Sequence, residues 1–373
     1  MKAALFLTGQ CNLRCSYCFA SECPSTCISH QALEQSVRFL RTRADDGLSI
    51  TIFGGEPLLR RDLVDELIAL CFAPGASEIT LAIATNGTLL DQRFLDICRQ
   101  RNIRMFLSLD GVREAHDVTR RQVSGLGSFD MVVEKVPRIL SALPYAVAVA
   151  VITPQTAALV SESIEFLFSL GFRYVLMTPD FNGAWRRTDL AILRSEYLRA
   201  AELYKARLRR GEKTYLSLFD EWIKTRTAEK NTPENCCDLA NTTVAIGPSG
   251  RIYPCVQFVG RDNGTNAIGD VATGMDETAR RRLVCLNHSP RDGCEGCALD
   301  GRCFNWCGCV NWRGTGRINQ VPAFVCEHER MLLPIADSIG DELFSERNEL
   351  FLRKFYDSEY TLGSLIEDSY LPA

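Results

Sequence analysis

The chain has 373 residues, of which 46% are hydrophobic and 24% are charged, and its formal net charge is −4. These values are ordinary for a globular protein, and the length predicts one large domain with a smaller one. The sequence has no block of basic residues, which argues against a nucleic-acid partner, and no apolar run long enough to span a bilayer.

The first residues do not form a secretory signal. Met1-Lys2 is followed by only five apolar residues before the first cysteine-containing loop begins. That segment is too short for a signal peptide, so we expect a cytoplasmic protein. Seventeen cysteines and only four histidines in a reducing compartment favour metal binding by thiolates over disulfides.

Apolar strand-like runs alternate with amphipathic helical stretches through the first part of the chain, which predicts βα units and a parallel sheet. Strands are expected at 3–8, 49–53, 79–84, 104–109, 145–152 and 173–177. Helices are expected at 30–44, 60–72, 89–101, 129–142, 158–170 and across 192–228. Six such units predict an α/β fold, a partial (β/α)6 barrel of the TIM type. The loops after its strands should carry the chemistry.

The loop after the first predicted strand contains three thiols in a C-x3-C-x2-C spacing, Cys11, Cys15 and Cys18. Three thiolates in a short loop can hold three irons of a cubic [4Fe–4S] cluster and leave the fourth iron without a protein ligand. An iron with an open position can bind a small molecule and pass it an electron. A structural zinc loop, or reduced surface thiols, is the alternative that the spacing leaves open.

The loop after the second predicted strand reads Phe53-Gly54-Gly55-Glu56-Pro57. Glycines allow close backbone approach to a ligand, and Pro57 suits the first turn of a helix. This glycine pair, placed one βα unit after the three cysteines, resembles the corresponding element of radical S-adenosylmethionine (SAM) enzymes. The resemblance implies that the open iron binds SAM, that reduction cleaves SAM to a 5′-deoxyadenosyl radical, and that the backbone of Gly54, Gly55 and Glu56 receives the amino group of SAM.

The third and fourth predicted strands end in small polar segments, Ala84-Thr85-Asn86-Gly87-Thr88 and Ser108-Leu109-Asp110-Gly111. Taken alone, each segment is a polar turn. The run from Ser108 to Asp130 resembles the same region of peptide-modifying radical SAM enzymes. The resemblance also places Tyr17 at the aromatic position that packs near adenine.

The same resemblance implies contacts to the rest of SAM. Ser108 and Arg120 would bind the methionyl carboxylate, and Asn86 or Asp110 would lie near the ribose. Arg121 is adjacent to Arg120, and the sequence leaves open which of the two arginines binds.

A change in composition near residue 231 predicts a domain boundary, with a barrel at 1–230, a second domain at 231–335, and a C-terminal helix and tail at 336–373. Ten of the seventeen cysteines lie between Cys236 and Cys326. Within this region, 242–246 and 251–253 flank Gly247-Pro248-Ser249-Gly250, which predicts a hairpin. An amphipathic helix is expected over 337–357.

The order of these cysteines resembles the SPASM extension, a cysteine-rich domain of radical SAM enzymes that modify peptides and proteins. The pattern is Cys237-x12-Gly250-x4-Cys255, then a C-x2-C-x5-C-x3-C block, then a distal cysteine. The resemblance implies two auxiliary [4Fe–4S] clusters. One would be held by Cys294, Cys297, Cys303 and Cys326. The other would be held by Cys237, Cys255 and Cys307. A zinc ribbon is the structural alternative.

Three ligands leave the second auxiliary cluster incomplete. Cys236, Cys285 and Cys309 are candidates for a fourth ligand. Alternatively, an open iron could bind a substrate thiolate, which a nearby metal would keep deprotonated. The loop thiols Cys23 and Cys27 are assigned no role.

The residue after Cys255 distinguishes between reactions. Sulfatase maturases carry an aspartate there, which takes a proton when serine or cysteine is oxidised to formylglycine, whereas this chain has Val256. This segment and Pro322–Glu329 resemble maturases that form thioethers in ribosomally made peptides. Many of those carry an N-terminal leader-binding domain, but only ten residues precede Cys11, so we expect that a leader is recognised by a separate protein, by the barrel surface, or not at all.

The resemblance extends over residues 1–335 and predicts a radical SAM peptide maturase that uses SAM and three [4Fe–4S] clusters. Its partners would be a precursor peptide or small protein and an electron donor such as flavodoxin or ferredoxin. Carbon–carbon crosslinking, dehydrogenation and formylglycine formation are the alternatives to a cysteine thioether. A non-catalytic electron carrier or a zinc-binding module is the alternative from another class. The sequence identifies no general base and no substrate.

Overall fold

The computed structural model describes residues 1–44, 47–73, 79–227, 238–357 and 359–360. The strands are β1 (Lys2–Thr8), β2 (Leu13–Cys15), β3 (Leu48–Gly54), β4 (Ile79–Thr85), β5 (Arg104–Ser108), β6 (Arg120–Gln122), β7 (Val147–Ile152), β8 (Tyr174–Pro179), β9 (Tyr215–Leu216), β10 (Thr243–Ile246), β11 (Arg251–Tyr253), β12 (Gly269–Asp270) and β13 (Gly274–Met275). The helices are α1 (His30–Arg43), α2 (Arg61–Cys71), α3 (Gln92–Gln100), α4 (Arg113–Thr119), α5 (Phe129–Val133), α6 (Val136–Ala142), α7 (Val160–Ser169), α8 (Arg187–Arg209), α9 (Ser217–Thr227), α10 (Glu277–His288), α11 (Gly308–Thr315), α12 (Ala323–Ser345) and α13 (Glu349–Tyr356). Among these described residues, none of the helices has the length and apolar character needed to cross a membrane.

Six strands form the centre of the main sheet. β1, β3, β4, β5, β7 and β8 lie side by side in chain order, and each neighbouring pair is parallel. Parallel neighbours require crossover connections, and helices provide them here. Leu5, Ile52, Ile83, Leu107 and Ala148 are buried in one continuous apolar core that these strands share. The predicted α/β fold with a parallel sheet is confirmed, and the carboxyl ends of these strands meet at one edge, where the polar loops lie.

The predicted strand limits agree with the structure to within two residues at each end, because each apolar run stops at a polar or glycine residue. The helical region predicted across 192–228 consists of two helices. α8 begins at Arg187 and ends at Arg209, β9 follows, and α9 begins at Ser217. Gly211 has a φ of +72°, which ends the first helix, and β9 then pairs with β8.

The sheet continues into the second half of the chain. β10 pairs with β1 in parallel, and β11, β12 and β13 extend that edge as antiparallel strands, so the full sheet is mixed and has eleven described strands. The predicted hairpin is confirmed as β10–β11. Gly250, with a φ of +86°, supplies its turn. The predicted boundary at residue 231 lies outside the described residues.

The long helix α12 packs against α8 and α9 and so fixes the C-terminal region to the sheet's helices. The Tyr197 hydroxyl lies 2.9 Å from His328 Nε2, and Arg302 pairs with Asp337 at 2.6 Å. The predicted single helix over 337–357 is wrong. α12 begins before it at Ala323 and ends at Ser345, and Arg347, with a φ of +54°, separates it from α13.

Candidate functional site

The three-cysteine loop follows β1 at the edge where the parallel strands end. Cys11 is exposed, whereas Cys15 and Cys18 are half-buried. Cys15 ends β2 and pairs with Arg120 of β6, so this short ribbon fixes the middle cysteine beside a buried arginine. The Cys18 amide donates to the Cys15 carbonyl at 3.2 Å, which gives the loop a tight turn between its last two thiols.

The glycine pair at the end of β3 packs directly on this loop. The Gly55 amide donates to the Thr8 carbonyl, and the Glu56 amide donates to the Gln10 carbonyl, both at 2.8 Å. A Cβ on Gly55 would lie 2.1 Å from Gln10 O, and one on Gly54, whose φ is +141°, would lie 2.3 Å from Thr8 O. Any side chain here would therefore displace the cysteine loop.

Glu56 links the ends of two strands. It is fully buried, and its carboxylate accepts from the Leu58 amide at 3.0 Å, the Thr85 hydroxyl at 2.8 Å and the Asn86 amide at 2.7 Å. Burial raises the pKa of Glu56, and these three donors oppose that rise. Because the side chain is satisfied inside the protein, Glu56 positions the loops, and its backbone is the part that faces the cysteine loop.

Asn86 lies beside the first cysteine. Its Nδ2 donates to Asn12 Oδ1 at 2.9 Å and lies 3.9 Å from the sulfur of Cys11, while the Leu13 amide lies 3.4 Å from the same sulfur. Burial raises the pKa of the Cys11 thiol, and these two donors lower it. Both donors would stabilise a metal-bound thiolate at Cys11.

Asp110 is the centre of a buried network rather than an open polar group. Its Oδ2 accepts from the Tyr17 hydroxyl at 2.6 Å, the Thr119 hydroxyl at 3.0 Å and Arg120 Nε at 3.0 Å. Its Oδ1 accepts from the Val151 amide at 3.0 Å. Asp110 is 4% exposed, so its oxygens are occupied by protein donors. This geometry gives Asp110 the task of positioning Tyr17 and Arg120.

The two adjacent arginines are in different environments. Arg120 is 6% exposed, and its guanidinium carbon lies 5.3 Å from the centre of the Tyr17 ring. Arg121 is exposed and lies 3.5 Å from the Gly125 carbonyl in a turn. Ser108 is the half-buried last residue of β5. Of the two arginines, Arg120 is therefore the one that belongs to the network beside the cysteine loop.

A buried histidine supports the same network from behind. His116 Nδ1 accepts from the Asp110 amide at 3.3 Å, and its Nε2 lies 3.0 Å from the Ser128 hydroxyl. Burial lowers the pKa of His116 to about 4, so the imidazole is neutral at neutral pH. The sequence alone did not place this residue in the site.

A cavity of about 500 Å³ opens beside Tyr17. Its other walls come from loops after β7 and β8, which the sequence analysis did not single out. They include Thr153, Gln155, Asp180 and Arg186. The volume is in the range of small-molecule sites. The only sequence signal for these residues was their position after the carboxyl ends of predicted strands.

The structure brings the C-terminal cysteines together in two groups. Cys294, Cys297, Cys303 and Cys326 line one small cavity, and Asn305 Nδ2 lies 3.7 Å from the sulfur of Cys294. These are the four residues that the resemblance assigns to one auxiliary cluster. Their donor set consists of thiols alone, which iron–sulfur clusters and zinc both accept.

The second group is fully buried. Cys255, Cys307 and Cys309 are each 5–8% exposed, and the sulfurs of Cys307 and Cys309 lie 3.2 Å apart. Cys236 and Cys237 lie outside the described residues. Across the part of the chain that the structure describes, no three His, Cys, Asp or Glu side chains are already arranged around a single-ion position.

Three further thiols have different environments, and Cys23 belongs to the same buried apolar cluster as the second group. Cys23 is 6% exposed, and burial raises its pKa to about 12, which makes it a poor thiolate. The Cys27 thiol lies 3.3 Å from the Thr8 hydroxyl and so supports the start of the cysteine loop. Cys285 is exposed on α10.

Comparisons with known proteins agree with this geometry. Residues 5–167 match the family model for the radical SAM superfamily. The chain is 21% identical over 267 residues to a cysteine-type anaerobic sulfatase-maturating enzyme of Clostridium perfringens, covering 67% of this chain and 72% of that one. It is 26% identical over 174 residues to an uncharacterized protein of Methanocaldococcus jannaschii, covering 46% of this chain and 59% of that one.

Two solved structures share the fold. One is anSMEcpe with bound AdoMet and Cp18Cys peptide, with a TM-score of 0.76 and 18% identity, covering 92% of this chain and 99% of that one. The other is Streptococcus suis SuiB bound to precursor peptide SuiA, with a TM-score of 0.62 and 19% identity, covering 87% of this chain and 75% of that one. Identities this low establish the fold alone. The family match, together with the glycine pair packed on the three-cysteine loop, shows a radical SAM domain at residues 5–167; enzymes of that superfamily use SAM and a [4Fe–4S] cluster.

Proposed function

We propose that this enzyme modifies a ribosomally made precursor peptide or small protein and that it installs a cysteine thioether. The proposal includes a partial (β/α)6 barrel at 1–230, a SPASM domain at 231–335 and two auxiliary [4Fe–4S] clusters beside the SAM-binding one. It also includes a cytoplasmic location and an electron donor of the flavodoxin or ferredoxin type. A separate leader-binding protein is a further proposed partner.

The residues present fit these groups. Cys11, Cys15 and Cys18 would hold the SAM-binding cluster, with Asn86 and the Leu13 amide donating toward the Cys11 sulfur. When bound, this cluster and SAM would supply a 5′-deoxyadenosyl radical that takes a hydrogen from a substrate carbon, and the auxiliary clusters would take up the remaining electron.

The protein's own groups would bind and orient SAM. The backbone at Gly54, Gly55 and Glu56 is held against the cysteine loop by two 2.8 Å hydrogen bonds, and it would receive the amino group of SAM. Arg120, fixed by Asp110 at 3.0 Å, is the cation for the methionyl carboxylate, with Ser108 at the adjacent strand end. Tyr17 borders the 500 Å³ cavity, where we place the nucleoside of SAM.

One observation carries the peptide part of this proposal. A cleft of about 560 Å³ runs from the cysteine loop to the C-terminal region. Cys18 and Glu22 lie on one side of it, and Gln257, Arg261 and Trp312 lie on the other. An open cleft between the three-cysteine loop and the cysteine-rich region admits an extended chain, and two solved structures of this fold hold bound peptides.

The thioether is favoured by the residue after Cys255. Val256 is half-buried and cannot accept a proton, whereas the related sulfatase maturases use an aspartate there. In thioether formation a cysteine sulfur captures the carbon radical. The product is two hydrogens lighter, since one hydrogen leaves in 5′-deoxyadenosine and the other as a proton and an electron.

Formylglycine formation is a second candidate. The chain aligns over 67% of its length with a cysteine-type anaerobic sulfatase-maturating enzyme and shares the fold of anSMEcpe over 92%. Formylglycine formation needs a group that accepts a proton, and in this chain that group would have to be a residue other than Val256. Carbon–carbon crosslinking and dehydrogenation would use the same site with a different radical fate.

The first experiment is reconstitution with iron and sulfide without oxygen, followed by SAM and dithionite. We expect 5′-deoxyadenosine. If the fully iron-loaded protein forms no 5′-deoxyadenosine, the hypothesis of a radical SAM enzyme is refuted. A colourless protein that contains zinc but no sulfide would support a binding module. The second experiment measures the mass of a peptide encoded beside the gene after co-expression. A loss of two hydrogens with one cysteine no longer alkylatable supports the thioether, whereas an aldehyde that reacts with hydrazine on a sulfatase-type peptide supports formylglycine.

A further inference from the structure

The strands β2 and β6 form a two-stranded ribbon that contains the middle cysteine of the three-cysteine loop. Residues directly opposite each other in such a ribbon lie on the same face, and the two faces alternate along the strands. Cys15 and Arg120 are opposite each other on the face toward the buried network. Arg14 and Arg121 are opposite each other on the next position, and both are exposed. The ribbon therefore presents two neighbouring arginines to solvent, on the strands that hold Cys15.

The two exposed arginines are an unfavourable pair within the chain itself. Like charges directly opposite each other on two strands destabilise the pairing. Arg120 has its charge balanced by Asp110 at 3.0 Å, whereas among the described ion pairs none includes Arg14 or Arg121. Arg121 lies 3.5 Å from a backbone carbonyl, which carries no net charge. A negatively charged partner at this face would remove the repulsion.

The hairpin that follows β6 adds an apolar surface beside these charges. Leu126 is 66% exposed and Val123 is 55% exposed, and Leu126 is the most exposed large hydrophobic residue in the part of the chain that the structure describes. The Gln122 amide donates to the Leu126 carbonyl at 2.8 Å, and Gly125, with a φ of +87°, allows the tight turn. Exposed apolar side chains rimmed by charges are typical of a protein-binding surface.

This hairpin is hydrogen-bonded directly to the three-cysteine loop. The Val123 amide donates to the carbonyl of Asn12, which is the residue after Cys11, at 3.3 Å. Asn12 Nδ2 in turn donates to Thr88 Oγ1 at 2.8 Å, and the next residue, Leu89, is 39% exposed. A single residue, Asn12, therefore connects the exposed apolar side chains with the first cysteine of the loop.

We propose that a small acidic one-electron carrier protein docks on the surface formed by Arg14, Leu89, Arg121, Val123 and Leu126, which we call the donor surface. This inference rests on the electron donor of the proposed function. The two arginines would attract the acidic carrier, and the three apolar side chains would be buried beneath it. The carrier, a reduced flavodoxin or ferredoxin, loses one electron, and the cluster held by the adjacent cysteine loop gains it. No atom is transferred in this step.

The donor surface leaves the other two sites accessible. None of its five residues lines the 500 Å³ cavity beside Tyr17 or the 560 Å³ cleft that begins at Cys18. A docked carrier would therefore cover the outside of the cysteine loop while the proposed SAM and peptide sites stay open. This arrangement allows the electron to be delivered with both SAM and peptide bound.

The test compares two reductants for one reaction. Wild-type enzyme and the double variant Arg14→Glu/Arg121→Glu are reconstituted anaerobically and assayed for 5′-deoxyadenosine, once with dithionite and once with a flavodoxin kept reduced. Dithionite needs no docking surface, so we expect equal iron content and equal dithionite-driven rates. With flavodoxin, the KM for the carrier should rise by about 10-fold or more in the variant, and the wild-type KM should increase with salt.

The double variant Arg194→Glu/Arg282→Glu is the matched control. It makes the same change in net charge at two exposed arginines of α8 and α10, and it should keep the wild-type KM for flavodoxin. Val123→Ser/Leu126→Ser should raise that KM while its salt dependence remains. Calorimetric binding of oxidised flavodoxin should weaken in both donor-surface variants, which measures docking without any SAM cleavage.

Three results would overturn the proposal. One is an unchanged flavodoxin KM and affinity in Arg14→Glu/Arg121→Glu, or an equal effect in the control pair. Another is loss of dithionite-driven cleavage in that variant, which would assign these arginines to SAM binding. The third is a wild-type enzyme that cleaves SAM with dithionite but takes no electrons from flavodoxin or ferredoxin. An iron-loaded wild type that cleaves no SAM even with dithionite would instead refute the proposed function.

Discussion

Replacing Gly55 by alanine should disable SAM cleavage while leaving the fold largely intact. The added Cβ would lie 2.1 Å from Gln10 O and 2.8 Å from Gly9 O, although carbon atoms rarely approach oxygen closer than about 3 Å. The cysteine loop must therefore move by about 1 Å, or the carboxyl end of β3 must move away from it. Either movement breaks the 2.8 Å hydrogen bonds that join Gly55 to Thr8 and Glu56 to Gln10.

Two magnitudes follow from this displacement. Overpacking a closely fitted site costs about 1–3 kcal/mol of stability. A misplacement of about 1 Å at a reacting centre lowers a rate by roughly 100-fold. We expect Gly55→Ala to bind iron, to unfold at a moderately lower temperature, and to form 5′-deoxyadenosine about 100-fold more slowly than the wild type.

The assay measures 5′-deoxyadenosine against time with saturating SAM and dithionite, together with iron content and the unfolding temperature. Gly340→Ala is the matched control, because the nearest atoms to its Cβ lie 3.9 Å and 4.0 Å away and the residue is inside α12. That substitution should raise stability by up to about 1 kcal/mol and leave SAM cleavage unchanged. Wild-type SAM cleavage by iron-loaded Gly55→Ala would refute the inference that this close contact sets the position of the cysteine loop.

Three further predictions concern the buried groups behind the site. Asp110→Asn removes the partner charge of buried Arg120 and should cost about 3–5 kcal/mol in urea unfolding. Asp130→Asn, in the exposed pair with Arg113, should change the stability little, and equal losses in the two variants would contradict the network. Glu56→Gln should lower stability by about 1–3 kcal/mol, because the amide cannot accept from all three donors, and circular dichroism melting would measure the loss. The pKa of His116 is lowered to about 4 in the folded state, so the unfolded chain binds more protons and stability should fall by about 2 kcal/mol from pH 7 to pH 5. His116→Gln should lose that part of the pH dependence, and an unchanged slope in urea unfolding would show that His116 is not its source.

The positions of the three-cysteine loop and of the glycine pair could be predicted from the sequence. The three-cysteine loop and the glycine pair are local patterns, and alternating apolar runs order the strands, so the sequence placed both loops at the same edge of a parallel sheet. The reason is physical: consecutive parallel strands must point the same way, and their following loops must then meet.

Side-chain roles depended on contacts between distant residues. Asp110 reads as a free polar group beside a ribose, but the fold surrounds it with Tyr17, Thr119, Arg120 and Val151. A carboxylate buried among four donors has few remaining lone pairs, and no local pattern reveals that.

By itself the sequence determined the order of the βα units, the three-cysteine loop and the radical SAM character of residues 5–167, because these depend on periodicity and on spacing along the chain. Only the tertiary structure decided which thiols meet. Cys309 and Cys285 are equally unassigned in the sequence, yet one lies 3.2 Å from the sulfur of Cys307 and the other is exposed on a helix. Distance in space between residues far apart in the chain is set by the packing of the whole sheet and its helices, which no single segment encodes.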